Sequence, residues 1–351
     1  MHKYDYSFLK DFKITSRLIG LSNVIYESNR RFAEMKYRNP KLYSKLHEKA
    51  IIESTLSSSR IEGVETSAKR EKELLIDNVK PLTHSEQEIS GYRDAIVFVS
   101  QHYDEMDVNE ETIRRLHTML MYYTQDQKGE YKKADNRITA TYADGTGEVL
   151  FEPVSYKETG RHMKEMIKAF NNAVTESEIN KMLLIPCFIV DFLAIHPFQD
   201  GNGRISRLLT LLLMYKQGYD AGKYVSYEKM IEEHKWNYYQ ELNRSQIGWH
   251  DNVNDYSPFI VFNFQLLYRC YSEINRRMNE EKDNKISKQK RIENAVMSSI
   301  VPVSKADIAD SLPDISLTTI EKTLGMMLKE KRIRKIGTYK NARYIKEDNG
   351  S

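Results

Sequence analysis

The chain has 351 residues, with 53 Lys and Arg against 50 Asp and Glu, so its bulk charge favours no particular class of partner. Its only cysteines are Cys187 and Cys270, which excludes a disulfide framework and predicts a reducing, cytoplasmic environment. The N-terminus has no apolar core of the kind that signal peptides carry, and the longest apolar stretch, Leu183 to Ile195, is too short to span a bilayer. We therefore expect a soluble protein with no membrane partner.

Apolar residues recur with helical spacing through most of the first 270 residues, where glycine and proline are scarce. One helix should follow Pro40, and a buried helix should contain Pro186 as its start or as a kink. The predicted helical stretches are 41–61, 112–123, 180–195 and 204–270. The fold class that this pattern favours is mainly α.

Residues 129–153 interrupt the helical pattern. Ile138–Tyr142 and Glu148–Phe151 read as two short strands around an Ala-Asp-Gly-Thr-Gly turn, so a β-hairpin is predicted here. Helices resume near Ser155, after Pro153.

The most informative segment is 196–207, which reads His-Pro-Phe-Gln-Asp-Gly-Asn-Gly-Arg-Ile-Ser-Arg. Free N–H groups and the positive dipole end at a glycine-rich helix start form a site for anions. Arg204 and Arg207 are three residues apart, so both side chains should leave one face and grip further phosphate oxygens. The segment therefore predicts a phosphate-binding catalytic loop, with His196 as the base and Asp200 as a hard oxygen ligand for Mg²⁺.

This segment resembles the signature of the Fic (filamentation induced by cAMP) family, His-x-Phe-x-(Asp/Glu)-Gly-Asn-Gly-Arg-x-x-Arg, and agrees with it at every specified position. The resemblance extends over about residues 1–270, because a mostly helical domain, an upstream hairpin and a downstream Tyr238–Tyr239 pair follow the same plan. It implies a Fic-fold helical core in which the hairpin forms a flap over the active site.

The resemblance implies a protein adenylyltransferase that binds ATP with Mg²⁺, or Mn²⁺ in its place, and moves AMP to a Ser, Thr or Tyr hydroxyl of a target protein or of itself. His196 would deprotonate the hydroxyl, and Asp200 would hold the metal. Arg204 would meet the β-phosphate and Arg207 the γ-phosphate, while the turn's backbone and the Asn202 side chain would hold the α-phosphate. The predicted nucleotide-binding residues are Gly201, Asn202, Gly203, Arg204, Ile205, Ser206, Arg207 and Tyr239.

Several residues near these segments have a structural interpretation beside the functional one. Tyr239 matches the position where related proteins place a tyrosine beside the adenine or ribose, although an aromatic at helical spacing often belongs to the core. Phe198 is expected to anchor the loop, and His117 to be a packed or capping histidine. The flap could pair through its backbone with an extended segment of a protein substrate, or simply cover the core. Trp249 and His250 carry no readable role.

A second motif, Ser58-Ser-Arg-Ile-Glu62-Gly63, resembles the inhibitory motif (Ser/Thr)-x-x-x-Glu-(Gly/Asn) of many Fic proteins. Gly63 is suited to end a helix in the left-handed conformation, which would leave Glu62 where the helix dipole disfavours an anion. Such a carboxylate needs a cation, and Arg207 is the candidate when no phosphate is bound. The alternative is a solvated helix-end carboxylate. A glutamate in the site could also position a water and so remove AMP from a protein.

Residues 285–346 form a basic tail, with 14 Lys and Arg against 6 Asp and Glu. Three helices followed by two short strands are predicted, in an order that resembles a winged helix presenting Thr318, Thr319 and Lys322. Such a tail could bind DNA, although winged helices also bind proteins. The predicted helices of the tail are 288–300, 304–311 and 316–331.

The polar, charged stretch 275–290 is predicted as a linker. The domains that follow are an N-terminal helical region over 1–110 with the inhibitory motif, a catalytic core over 111–275, and the winged-helix-like domain over 285–346. The sequence is also compatible with a homodimer.

Functions from two classes are considered on these grounds. The first is the adenylyltransferase, autoinhibited by Glu62; the phosphotransferase branch of the family departs from Gly-Asn-Gly-Arg, whereas the phosphocholine-transferring branch is not separated by this loop. The second is a nucleotide-sensing, DNA-binding regulator in which the Fic domain transfers nothing. The presence of His196 favours the enzyme, because sensing a nucleotide needs the anion loop but no general base.

Overall fold

The computed structural model divides into two compact units, residues 1–274 and residues 275–351. The residues that the structure describes are 2–38, 40–126, 128–141, 147–285, 287–299, 301–338 and 342–347. The region 1–110, predicted as a domain of its own, is not divided from the rest of the first unit. Among the described residues, no helix is both long enough and apolar enough to cross a bilayer.

The first unit is mainly helical, as the hydrophobic pattern predicts. Its helices are α1 (Ser16–Arg38), α2 (Pro40–Ile61), α3 (Ala68–Leu75), α4 (His84–His102), α5 (Glu110–Leu120), α6 (Thr159–Thr175), α7 (Lys181–Ile195), α8 (Asn202–Lys216), α9 (Tyr227–Glu233), α10 (Lys235–Gln246) and α11 (Ser257–Lys285), which continues past residue 274. Capping side chains explain several starts: Thr83, Asn109 and Ser226 each accept a backbone N–H from the first turn of α4, α5 and α9.

The helices α7 and α8 pack against each other at the centre of this unit. Every α7 residue from Met182 to Ile195 is buried, and so are residues 204–215 of α8. A helix buried on all sides must be largely apolar all round, and the runs Leu183–Ile195 and 208–213 are apolar except at Asp191 and Thr210. Full burial of each large apolar side chain stabilises the fold by about 1.5–3 kcal/mol. This pair is therefore the rigid frame on which the site is built.

Pro186 lies inside α7 and does not start it. The helix begins at Lys181, because the Asn180 side chain accepts the N–H of Met182 at 2.9 Å and caps the first turn. A proline in the second turn costs the helix one backbone donor, and the apolar packing around α7 keeps it helical to Ile195.

The strands β1 (Ile138–Thr141) and β2 (Gly147–Phe151) pair antiparallel and form the predicted hairpin. Ile138 lies opposite Phe151, and the register shifts by the next pair, Thr139 opposite Val149. Tyr142 and residues 143–146 of the predicted turn lie outside the described residues, and the last predicted turn residue, Gly147, begins β2.

The second unit has a small sheet and an apolar core of its own. Its elements are α12 (Lys288–Met297), β3 (Val303–Ser304), α13 (Lys305–Ser311), α14 (Leu317–Lys329), β4 (Ile333–Ile336) and β5 (Arg343–Lys346), and the strands form an antiparallel sheet in the order β3–β5–β4. Ile292, Ile308, Leu324 and Tyr344 belong to one buried cluster that joins the three helices to the sheet. The helices and the last two strands follow the predicted order. The strand β3 was not predicted, because two residues are too few to show an alternating pattern.

The predicted linker 275–290 is helical for most of its length. The helix α11 extends to Lys285, and α12 begins at Lys288. The sequence from Arg276 to Lys285 contains no Gly or Pro and is rich in Arg, Glu and Lys, which have high helix propensity. High charge alone therefore does not distinguish a linker from an exposed helix.

Candidate active site

His196 stands at the C-terminal end of α7 in a left-handed backbone conformation, with φ 51° and ψ 62°. Its N–H donates to Phe192 O at 2.9 Å, which completes the last turn of α7. The chain then turns through residues 197–201, and α8 begins at Asn202. A histidine that ends one buried helix is thus brought to the N-terminus of the next. The left-handed region is uncommon for a residue with a Cβ, and such conformations cluster at functional sites.

The Asn202 side chain fixes this turn. Its Oδ1 accepts the N–H of Phe198 at 2.9 Å, and its Nδ2 donates to Phe198 O at 2.8 Å. Phe198 is fully buried, as expected of an anchor. Both polar atoms of the amide are bonded within the loop, but Nδ2 carries a second N–H, so contact of the Asn202 side chain with the α-phosphate stays a prediction. Its backbone N–H, at the start of α8, remains a predicted phosphate donor.

His117 supports the loop from behind. Gly129 N–H donates to His117 Nδ1 at 2.9 Å, so Nε2 carries the ring proton and donates to Asp200 O at 3.1 Å. The ring stacks on Phe198 with the centroids 3.8 Å apart. Burial lowers the pKa of His117 to about 4, which keeps the neutral form that both hydrogen bonds require. His117 is therefore the packed histidine that was predicted.

The His196 imidazole is in its neutral form near pH 7. Its Nδ1 lies 3.4 Å from Leu193 O, and a carbonyl oxygen can only accept, so Nδ1 carries the ring proton and Nε2 keeps its lone pair. Burial lowers the pKa of His196 to about 4, and the charge of Lys132 acts in the same direction against weaker opposing effects of Glu62 and Asp200. A side chain in this state can act as a general base.

Glu62 reaches Arg207 from the end of α2. Gly63 follows it in the left-handed conformation (φ 79°) and ends the helix, as predicted. Glu62 Oε1 accepts from Arg207 Nη2 at 2.8 Å. Ser58, at the start of the same motif, accepts from Arg207 through Oγ at 3.0 Å and through its carbonyl at 3.1 Å. The Arg207 side chain is 1 % exposed and the Glu62 side chain 29 %, so the arginine is buried while the carboxylate remains open to the cavity.

The Glu62 carboxylate also lies against Gly203, where a Cβ would overlap Oε1. Only glycine allows this approach. Glu62 directly follows α2, whose C-terminal dipole end repels an anion. Its carboxylate extends to the N-terminal end of α8, where the dipole attracts an anion. It occupies the place in which the sequence predicts phosphate.

Arg204 is bonded to two carboxylates. Its Nη1 donates to Glu88 Oε2 at 2.6 Å, and its Nη2 donates to Asp200 Oδ2 at 2.8 Å. The side chain is 3 % exposed, and Nε has no hydrogen-bond partner among the described residues. The prediction that Arg204 and Arg207 leave one face together does not hold in this arrangement, because Arg204 is drawn toward α4 and Arg207 toward the end of α2.

A cavity of about 660 Å³ opens in front of the loop, within the usual range of small-ligand pockets. The predicted site residues that line it are Glu62, His196, Asp200, Gly201, Asn202, Gly203, Arg204, Arg207 and Tyr239. Ile205 and Ser206 are fully buried and do not line it, and Ser206 Oγ donates to Gly203 O at 2.7 Å. The hairpin contributes Ile138, Thr139, Leu150 and Phe151, so it lies over the site, as predicted.

One face of α10 forms another wall of the cavity. Its lining residues follow the i, i+3, i+4 spacing of one helix face: Lys235, Tyr238, Tyr239, Leu242, Asn243 and Gln246. Tyr239 is 39 % exposed and packs edge-on against buried Tyr238, so it faces the cavity and is not a core residue. The buried Gln246 Nε2 has no hydrogen-bond partner among the described residues, which makes it a donor for a polar ligand.

Asp200 has the properties expected of a metal ligand. Its side chain is 61 % exposed, and while Oδ2 accepts from Arg204, Oδ1 remains for a cation. No group of three or more His, Cys, Asp or Glu side chains that could hold a metal occurs in the described part of the chain. Mg²⁺ is commonly held by one or two carboxylates together with substrate phosphates and water. The donor set therefore fits a metal that arrives with a nucleotide.

Residues 107–214 match the model of the Fic/DOC family, a range that includes the hairpin, α7, the loop and most of α8. The chain carries a Fic/DOC family domain.

The solved structures similar to it include the following three. A Fic family protein from Desulfovibrio desulfuricans G20 is 19% identical with a TM-score of 0.60, over 97% of this chain and 98% of that chain. A Fic domain containing signaling protein from Bacteroides thetaiotaomicron VPI-5482 is 23% identical with a TM-score of 0.61, over 71% and 94%. Fic-1 from C. elegans is 18% identical with a TM-score of 0.55, over 72% and 70%. At these identities the likeness shows the fold.

The first unit also contains supporting contacts that were not predicted. Trp249 Nε1 donates to the buried Asp191 at 2.8 Å. His250 Nε2 donates to Glu152 O at 2.8 Å, and its ring stacks on Phe151 of the flap. His250 therefore supports the end of the flap, while Trp249 is bonded to α7. No local sequence pattern marks these two residues, because their partners are 58 and 98 positions away in the sequence.

Proposed function

We propose that the Fic domain of this protein is a protein adenylyltransferase, which moves AMP from ATP to a protein hydroxyl, and that Glu62 holds it in an inhibited state. Members of the Fic family transfer nucleotide-linked groups to proteins. The observation that carries the proposal is a single cavity lined by the neutral His196, by the N-terminus of α8 and by Arg207. A base, an anion site and a second cation are what nucleotidyl transfer from ATP needs.

In the proposed step, the hydroxyl oxygen of the target attacks the α-phosphorus of ATP. A new oxygen–phosphorus bond forms while the bond to the bridging oxygen of the β-phosphate breaks, and pyrophosphate leaves. His196 Nε2 takes the hydroxyl proton. Backbone N–H groups at the start of α8 stabilise charge on the α-phosphate, and Arg207, once released by Glu62, binds the γ-phosphate. Asp200 would hold Mg²⁺, which neutralises phosphate charge when bound.

The proposed target is a protein segment that carries an exposed Ser, Thr or Tyr hydroxyl. The flap is a two-stranded hairpin with exposed Val149 and Leu150, and its strands can pair through the backbone with an extended chain. Main-chain pairing places a hydroxyl near His196 without selecting a sequence. Modification of a segment of the same chain is a special case of this reaction.

Labelled nucleotide tests the proposal directly. The full chain would be incubated with ATP labelled at the α-phosphorus and, separately, at the γ-phosphorus, with a protein lysate as acceptor, and then denatured and separated on a gel. Adenylyl transfer predicts protein-bound α-label and no γ-label. Protein-bound γ-label would instead indicate phosphotransfer. No label in the wild type or in a Glu62→Gly variant would contradict the proposal and favour nucleotide sensing.

The metal ligand gives a separate prediction. Asp200→Ala should weaken Mg²⁺-ATP binding by about tenfold or more and lower Mg²⁺-dependent transfer, because a contact between charged groups contributes about 1.5–3 kcal/mol. Arg204→Ala should also weaken binding, since it removes the guanidinium that is predicted to meet the β-phosphate. Calorimetric titration measures both, with the exposed Asp107→Ala as the control. Unchanged affinity and rate in both variants would mean that the loop binds a different ligand.

We propose DNA binding as a second function, carried by the second unit. Its helix α14 presents Thr318, Lys322 and Lys329 to solvent, and residues 285–346 carry eight more basic than acidic residues. Helices that enter DNA grooves are exposed in this way, and lysines on them neutralise phosphates.

A double variant, Lys322→Ala with Lys329→Ala, should weaken binding of duplex DNA by the full chain and reduce the slope of log affinity against log salt by about 2. Fluorescence anisotropy over a range of salt concentrations measures the slope. The control is a pair of exposed lysines of the first unit, Lys13→Ala with Lys168→Ala. Failure of the wild-type chain to bind duplex DNA at low salt would contradict this function and favour a protein partner for the second unit.

A further inference from the structure

Lys132 lies just before the flap and is buried, with 3 % of its surface exposed. Its backbone N–H donates to Pro197 O at 2.8 Å. Its ammonium group donates to Ile195 O at 3.2 Å. One lysine thus binds the carbonyl before His196 and the carbonyl after it.

Asn136 extends this contact by one residue. Its Oδ1 accepts from Lys132 Nζ at 2.8 Å, and its Nδ2 donates to Phe198 O at 3.4 Å. The segment before the flap therefore holds the backbone of the catalytic turn at three carbonyls. The residue between two of them, His196, is the one in the left-handed conformation, which persists only when surrounding contacts determine it.

The ammonium group of Lys132 bonds to an amide oxygen and a carbonyl, which are both neutral. Burial lowers the pKa of Lys132 to about 8, against an opposing effect of Asp135, so the group is still mostly protonated at pH 7. A buried positive charge whose hydrogen-bond partners are neutral acts strongly on its neighbours, because little water screens it.

The charged groups that act on His196 come from three elements. Lys132, from the segment before the flap, disfavours the imidazolium, whereas Glu62, from the end of α2, and Asp200, from the catalytic turn, favour it. Burial and Lys132 prevail over the two carboxylates, and the pKa of His196 falls to about 4.

We infer that Lys132 is a positioning residue for the base: it holds the backbone on both sides of His196 and brings a buried positive charge to the catalytic turn. This inference rests on the proposed function in so far as His196 is the base of a transfer reaction. The catalytic turn is then set by contact with the segment that leads into the flap. A move of the flap that shifted this segment would alter both the orientation and the basicity of His196.

Three variants at position 132 separate backbone support from charge. Lys132→Met removes the donor and the charge, Lys132→Gln keeps a donor without the charge, and Lys132→Arg keeps both. The control is Lys133→Met, which removes the same charge from an exposed neighbour paired with Glu130. Circular dichroism checks that each variant is folded.

The decisive measurement is the protonation midpoint of His196 by NMR, in the full chain without ATP. In the Met and Gln variants it should rise from near 4 toward the ordinary value of 6.5, while the Arg variant and the Lys133→Met control keep the wild-type midpoint. In transfer assays, the rate of the Gln variant should then fall several-fold between pH 7.5 and pH 5.5, relative to the wild type over the same range.

A His196 midpoint in the Gln variant equal to that of the Lys133→Met control would overturn the inference, and so would a rise in the Arg variant as large as in the Gln variant. The NMR measurement needs no substrate. If the wild type transfers no AMP, the proposed function fails while the effect of Lys132 on His196 is still measured.

Discussion

The His196→Ala protein is expected to transfer AMP about 10²–10⁴-fold more slowly than the wild type, which is the usual cost of removing a general base. The reason is geometric as well as chemical: His196 Nε2 keeps its lone pair, Nδ1 is turned to Leu193 O, and the ring lines the cavity at the start of α8. ATP affinity should stay within a few-fold of the wild-type value, because the base acts on the nucleophile and not on the phosphates. Incorporation of α-labelled AMP measures the rate, and calorimetry measures the affinity.

The matched control for this prediction is His102→Ala, which removes a partly exposed imidazole at the end of α4. It should transfer AMP at the wild-type rate. If His196→Ala keeps full activity, the base lies elsewhere and the proposed mechanism is wrong. If it loses ATP binding as well, His196 contributes to the nucleotide site and not only to proton transfer.

Glu62→Gly is expected to raise adenylylation by tenfold or more. In the resting arrangement the carboxylate bonds to Arg207 at 2.8 Å and lies against Gly203, so it takes both the arginine and the helix end that the phosphates of ATP would use. Releasing about 1.4 kcal/mol of this competition already gives a tenfold faster reaction. The assay is incorporation of α-labelled AMP at saturating Mg²⁺, into the protein itself and into a lysate.

The same substitution should slow any removal of AMP from a modified protein. In that reaction a water oxygen attacks the phosphorus of the AMP ester, the bond to the protein oxygen breaks, and a carboxylate such as Glu62 positions the water and accepts its proton. The control is Glu65→Gly, an exposed glutamate three residues along the chain, which should change neither activity. Equal adenylylation by wild type and Glu62→Gly would show that the contact with Arg207 does not inhibit the enzyme.

Much of the candidate site is predictable from the sequence because its parts are close in the chain. The segment 196–207 combines the proposed base, the proposed metal ligand and the proposed anion site within one turn between two helices, so local spacing alone brings them together. Glu62 and Arg207 are far apart in sequence, yet their contact was predicted. A carboxylate at a helix C-terminus is disfavoured by the dipole and is stabilised by a cation such as the Arg207 guanidinium. The hairpin was also predicted, since its turn and strands form a local pattern.

The contacts of single polar residues could not be predicted in this way. Glu88 is one glutamate on an ordinary helix, and nothing in its neighbourhood indicates that Arg204 bonds to it. Lys132 and Asn136 lie in a polar stretch without a motif, yet they hold three carbonyls of the catalytic turn. The bonds of the Asn202 side chain to Phe198 could not be predicted for a related reason: whether an amide bonds to its own loop depends on a few ångströms of backbone path.

The sequence by itself predicted the mainly helical architecture, the turn that joins α7 to α8 and the contact of Glu62 with Arg207, because periodicity, capping and short-range spacing are properties of the local chain. Only the tertiary structure decided which charges are paired and which are free. Arg204 is buried between the carboxylates of Glu88 and Asp200, and Arg207 is bonded to Glu62. It also decided the basicity of His196, since that depends on burial and on the charge of Lys132, which approaches from a different segment of the chain. Burial and charge pairing are sums over all neighbours in space, and a linear sequence does not list those neighbours.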